Sequence, residues 1–155
     1  TAVDISEDAL GVASGQDFSE EISRTAAHKP HFIKADVLAA PMAELGQFDV
    51  LTSNPPYVME SEKALMRRNV LEHEPELALF VTDEDPLIFY RAVASWAVGL
   101  LKPGGFGIVE INEALGAETA GVFADAGMTD VNILKDLSGK DRFVSFRKQI
   151  QTDAT

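Results

Sequence analysis

The chain has 155 residues, 46% of them hydrophobic, a size and composition that suit one ordinary domain with a continuous core. Lys and Arg number 13 against 25 Asp and Glu, and the resulting net charge of −12 repels phosphate backbones and anionic lipid surfaces, which disfavours a nucleic-acid substrate. The absence of cysteine excludes disulfide and thiol chemistry, and the apolar run from Ala92 to Leu101 is broken by Ser95 and far shorter than the ~20 residues a bilayer span needs.

In chain order, Thr1-Ala2-Val3-Asp4-Ile5 reads as the last half of a buried strand closing on an acid, so a piece of a longer protein is expected. No charged-then-apolar signal segment opens the chain, and a cytoplasmic location fits. Ser6 is a good N-cap, and Glu7 and Asp8 carry the charge that a first helical turn favours; the pattern predicts one helix from Ser6 into the low twenties. His31 to Ala35 then reads as a short strand ending at Asp36, and Phe48 to Ser53 as a strand that stops at Asn54-Pro55-Pro56, because proline has no N–H to give a ladder. From Glu60 to Asp85 an irregular acidic loop is expected, with room for a short helix at Glu62 to Arg68.

Apolar residues from Leu87 to Leu101 trace one face of a helix over Pro86 to Leu101, stopped by Pro103-Gly104-Gly105. A strand from Phe106 to Ile111, a helix from Glu113 to Ala126 and strands from Met128 to Leu134 and Arg142 to Arg147 complete the chain. The order β-α-β-β-α-β-α-β-β predicts an α/β fold whose sheet is mostly parallel and ends in an antiparallel hairpin.

Open α/β sheets bind ligands beyond the carboxyl ends of their strands, where Asp4, Asp36 and Asn54 fall. An acid there can take both hydroxyls of a ribose, or serve only as a turn residue; Asp4 admits both readings, and Asp36 favours the turn. Asn54-Pro55-Pro56-Tyr57 is more specific, since such a tetrapeptide should arise by chance in a chain of this length on the order of once in a thousand. An amide or exocyclic amine nitrogen is a poor nucleophile because its lone pair is delocalised. Two acceptors on its N–H bonds orient it and stabilise the positive charge that builds as a methyl group arrives. The Asn54 side-chain oxygen and the Pro55 carbonyl can be those acceptors, and the Tyr57 ring can stack on a planar group.

Other constellations fail. His28 and His31 have no third metal ligand in register, Gly104-Gly105-Phe106-Gly107 precedes a strand and so reads as a turn, and the acids from Glu72 to Glu76 and from Asp83 to Asp85 read as a solvated surface.

From Thr1 to about Lys148 the chain resembles the HemK (PrmC) family of release factor glutamine methyltransferases. The likeness rests on Val3-Asp4-Ile5-Ser6, Ala35-Asp36-Val37, Ser53 to Val58, Glu74-Pro75-Glu76-Leu77-Ala78-Leu79-Phe80, Phe89-Tyr90-Arg91, Leu101 to Gly105, and Asp136 to Val144. The tetrapeptide is shared with adenine-N6 DNA methyltransferases, whereas the later segments single out this family. The resemblance implies a Rossmann-like class I methyltransferase using S-adenosylmethionine, with a methyltransferase domain over 1–148 and a tail over 149–155. It also implies that Asp4 holds the cofactor ribose, that Asp36 and Val37 flank its adenine, and that Asn54, Pro55, Pro56 and Tyr57 receive the glutamine of a peptide chain release factor.

Two departures accompany it. The family's glycine-rich cofactor loop and the strand before it are expected upstream of Thr1, so the sheet is expected to lack its first strand here, and the 155 residues alone are expected to bind the cofactor weakly or not at all. In addition, the family often has a glycine and then a glutamine after the acid of the later strand, where this chain has Asn112 and Leu115. The rival expectations are an adenine or guanine amino methyltransferase acting on a flipped base, and a piece with no activity in isolation.

Overall fold

The structure is a computed structural model that describes residues 1–25, 27–65 and 75–150. The far end of the helix expected to reach Arg68, the first acids of the Glu72–Glu76 run and the last five residues of the tail lie outside them. The chain divides into two compact units, Thr1–Ala39 and Ala40–Thr155.

In the first unit, β1 (Ala2–Asp4) and β2 (Phe32–Lys34) run parallel, Asp4 opposite Lys34. The Ser6 hydroxyl accepts from the Ala9 amide at 3.2 Å and starts α1 (Glu7–Ser14) with acids in its first turn. The expected single helix is two. It stops at Gly15, and α2 (Ser19–Thr25) starts anew, its first amide taken by the Asp17 carboxylate at 2.9 Å. Asp17 offers the backbone a local acceptor in a stretch poor in strong helix formers, which makes a second start cheaper than continuation. Phe18 and Phe32 rings approach to 6.2 Å, and no described residue of this unit is fully buried.

The second unit is built on a sheet in the order β3 (Phe48–Ser53), β6 (Leu101–Glu110), β8 (Asp141–Lys148), β7 (Met128–Lys135). Strands β3 and β6 are parallel, and β8 is antiparallel to both β6 and β7, which bears out the hairpin at the chain's end.

Helix α4 (Ile88–Leu100) buries Tyr90, Val93, Ala94 and Ala97, which its spacing marked out, and with them Trp96 and Leu100, which it did not. It ends at Leu100, ahead of Pro103-Gly104-Gly105 as expected, but passes straight into β6 at Leu101, whereas the strand was expected to begin at Phe106. The strand absorbs those residues as a bulge: Leu101 pairs with Phe48, yet Val50 already pairs with Phe106, and Gly104 takes a φ of 77° that L side chains rarely adopt. Helix α5 (Gly116–Asp125) packs on α4, β7 and β8, and its Phe123 stacks on Phe146 at 4.1 Å. Gly107 lets that stack form, because a Cβ at this position would lie 2.1 Å from the Phe146 ring.

The acidic stretch expected to be loop is preceded by one short strand, β4 (Val58–Met59), and contains another, β5 (Phe80–Val81), the two paired in parallel. Between them lie a 3-10 helix at Glu60–Leu65 and, ahead of β5, α3 (Glu76–Leu79).

Candidate functional site

Because β3 and β6 are parallel neighbours, their carboxyl ends emerge side by side. Ser53 lies opposite Val109, so the chain leaves β3 through Asn54 as β6 ends at Glu110. Pro55 is buried while Asn54 is exposed, which anchors the turn by its proline and leaves the amide in solvent. Among the described residues, no hydrogen bond engages the Asn54 carboxamide or the Pro55 carbonyl, so both acceptors remain available.

Tyr57 is held at two points. Its hydroxyl donates to Glu110 Oε1 at 2.8 Å, and its backbone carbonyl accepts from Asn112 Nδ2 at 3.1 Å. Burial, then the hydrogen bond to Glu110 and the charge of that carboxylate, push the Tyr57 phenol up to about 12. Arg142 pulls the other way, its guanidinium 3.7 Å from Glu110 and 3.4 Å from Asp136. Tyr90, fully buried on α4, donates to the Glu110 carbonyl at 3.3 Å and accepts the Asn112 amide at 3.3 Å, and burial above all raises its phenol too. Both phenols are therefore neutral near neutral pH and act as hydrogen-bond donors.

Asn112 is 5% exposed and makes further bonds, donating to Glu62 Oε2 at 2.8 Å and accepting the Ala114 amide at 2.9 Å. The Glu62 oxygen also accepts the Met59 amide at 2.9 Å, and Asp83 accepts from the Ser61 hydroxyl at 2.8 Å, so the chain after Tyr57 is tied down. Neither Glu110 nor Asn112 stood out in the sequence as belonging with Tyr57. The one available signal was the departure at Asn112, a carboxamide where the resembled family often has glycine.

In the first unit, Asp4 and Asp36 lie just at and beyond the carboxyl ends of β1 and β2. Each uses one carboxylate oxygen on its own turn: Asp4 Oδ1 accepts the Ser6 amide at 2.8 Å, and Asp36 Oδ1 accepts the Leu38 amide at 2.9 Å. The turn role read for each is thus present, and both side chains stay exposed with a second oxygen unengaged among the described residues. Val37, next after Asp36, is half-buried. A pair of strand-end carboxylates with spare acceptor capacity is chemically suited to the vicinal hydroxyls of a ribose. His28 and His31 are exposed, and among the described residues no group of three or more His, Asp or Glu could hold a metal ion. Nor is any described helix long and apolar enough to cross a membrane.

No protein-family model matches the chain. Among curated proteins it is 44% identical over 144 residues to a release factor glutamine methyltransferase of Bacteroides thetaiotaomicron, covering 93% of this chain and 50% of the relative. It is 38% identical to the protein of the same name in Flavobacterium psychrophilum, over 92% of this chain and 48% of that one. A third, from Chlorobaculum tepidum, is 34% identical over 96% of this chain and 49% of its own length. The chain thus spans about half the length of the curated relatives it matches. Among solved structures, a methyltransferase from Pyrococcus furiosus superposes with a TM-score of 0.57 at 17% identity, over 96% of this chain and 62% of that one, a likeness of fold. With that architecture and identities of this size over nearly all its residues, the chain belongs to the release factor glutamine methyltransferase family and has its Rossmann-like class I methyltransferase fold.

Proposed function

We propose that the protein transfers a methyl group from S-adenosylmethionine to the side-chain nitrogen of a glutamine in a peptide chain release factor. The observation that carries this reading is the unengaged pair of acceptors, the Asn54 carboxamide oxygen and the Pro55 carbonyl, at the carboxyl end of β3 beside a half-buried, doubly held Tyr57. The names of the curated relatives support the choice of glutamine and of release factors. The net charge of −12 favours a protein acceptor over a nucleic acid.

The chemistry asked of these residues is modest. The bound cofactor supplies a methyl group already activated by a sulfonium centre. Asn54 and Pro55 accept the two N–H bonds of the glutamine amide, fix its nitrogen in line for attack and stabilise the charge that builds on it. The Tyr57 phenol, kept neutral, presents a ring face to the planar amide and takes no proton. Asp4 and Asp36 supply acceptors for the cofactor's ribose and the neighbourhood of its adenine, with Val37 as an apolar contact.

The test is labelled-methyl transfer by the full-length protein to a release factor, to the same factor with its acceptor glutamine replaced, and to duplex and single-stranded DNA. Label on the intact factor alone supports the proposal, whereas comparable label on DNA would replace it with the nucleic-acid reading. Asn54→Ala should lower turnover by at least ~100-fold with little change in cofactor affinity. Turnover within a few-fold of wild type would remove Asn54 from the mechanism.

A further inference from the structure

Asn112 is a buried carboxamide in which every polar atom is spent. Its Nδ2 donates to the Tyr57 carbonyl and to Glu62 Oε2, its Oδ1 accepts the Ala114 amide, and its own backbone N–H donates to the Tyr90 hydroxyl. The orientation of the amide follows from those partners. Turning it over would set its oxygen against a carbonyl and a carboxylate, and its NH2 against an N–H. No other side chain of the same size offers two donors and an acceptor in one plane.

These bonds fall into two kinds. Acceptance of the Ala114 amide, together with the Leu115 amide bonding to the Asn112 carbonyl at 3.0 Å, closes the turn after β6 and is purely local. The two donations are long-range, and both grip the segment that follows Asn54: Tyr57 directly, and Met59 through the Glu62 carboxylate. A turn cap needs an oxygen only. An aspartate or serine would supply it, so the donors are surplus to the fold of that turn.

We infer that Asn112 is a positioning residue for methyl transfer, holding the Tyr57 carbonyl and the Glu62 carboxylate so that Asn54 and Pro55 present their acceptors in a preset geometry. This rests on the proposed reading of Asn54–Tyr57 as the acceptor-amide site. Asn112 itself touches no substrate; its effect runs through the backbone of the Tyr57 segment. Since only the approach of the acceptor nitrogen is affected, its loss falls on turnover with the release factor and spares the cofactor.

The discriminating change is Asn112→Asp in the full-length protein. It keeps the oxygen that caps Ala114, removes both donors, and sets a carboxylate against Glu62. The variant should lower kcat by about ten- to a hundredfold, with the dissociation constant for S-adenosylmethionine unchanged within about twofold. Adding Glu62→Gln gives the introduced carboxylate a donor again, and the double variant should recover at least about fivefold of the lost kcat. Asn112→Ser, which retains an uncharged cap oxygen, should lose kcat in the same way and stands in should the aspartate variant not fold.

Amide hydrogen exchange supplies a readout that needs no turnover. The Met59 amide should exchange faster in Asn112→Asp and stay fast in the double variant, because Met59 and Asn112 bond the same Glu62 oxygen and the NH2 that Glu62→Gln turns to the new carboxylate cannot accept from Met59. An unchanged kcat, a parallel loss of cofactor affinity and turnover without recovery in the double variant, or unaltered Met59 exchange each overturns the inference. A wild-type protein that methylates no release factor while Met59 exchange follows the expected pattern refutes the substrate reading and leaves the clamp standing.

Discussion

Taking the protein from about pH 9 to about pH 12 should erase the stability that the Tyr57 hydroxyl contributes, and the size of the effect follows from its surroundings. In the folded state its phenol is pushed up from 10.0 to about 12, first by burial and then by Glu110. Between those values the native chain holds a proton that the unfolded chain has released, so stability falls as pH rises. The contribution is whole below pH 10 and is lost as pH climbs through about 12. A displacement of that size corresponds to ~2.7 kcal/mol before screening, and because Tyr57 is only half-buried, ~1–2 kcal/mol is the expected share. Tyr57→Phe lacks the group altogether. Unfolding free energies from urea titrations should therefore shift against wild type, relative to the variant, by ~1–2 kcal/mol between about pH 9 and about pH 12. The phenolate absorbance gives a second view: the difference between the two native proteins should show no ionisation at pH 10 and should show it there once both are unfolded. Glu110→Gln, which removes the second and third causes and leaves burial, should bring that ionisation down toward the ordinary range. A stability difference that does not shift between about pH 9 and about pH 12, or a native Tyr57 phenol half-ionised at about pH 10, would refute the argument.

Asp4→Ala should raise the dissociation constant for S-adenosylmethionine about tenfold by calorimetry on the full-length protein. Asp4→Asn, which keeps an oxygen for the Ser6 amide, separates loss of the carboxylate from loss of the turn; unchanged affinity in both would leave Asp4 a turn residue alone. Gly107→Ala should destabilise the fold by about 3 kcal/mol or more and lower its melting temperature by roughly 6–12 °C, because the added Cβ meets the buried Phe146 ring that Phe123 holds in place. A melting temperature within about 2 °C of wild type would mean that the ring has room to move.

What could be read along the chain was what local chemistry decides. Ser6 caps a helix because its hydroxyl reaches the Ala9 amide, and β3 ends at Ser53, just before Asn54, because Pro55 and Pro56 have no N–H to pair. The α4 face was visible because burial on one side of a helix imposes its period on the sequence. The terminal hairpin was visible because its turn is short and carries Gly139 at a φ of 82°. The same locality misled where a residue's usual preference was overruled. Pro103-Gly104-Gly105 does follow the end of α4, yet pairing with β3 draws those residues into β6 at the cost of a bulge, where a strand beginning only at Phe106 was expected. Strands β4 and β5 were invisible, since elements of two residues have no periodicity and exist only because each pairs with the other. The tetrapeptide drew attention to the segment after β3, but the groups that hold Tyr57 came from elsewhere: Glu110 lies 53 residues beyond Tyr57, and Asn112 lies 55 beyond. Hydrogen bonds at such separations leave no pattern along the sequence. They arise because two parallel strands end side by side, and an acid and a carboxamide at the end of one are thereby brought within reach of a tyrosine beyond the end of the other.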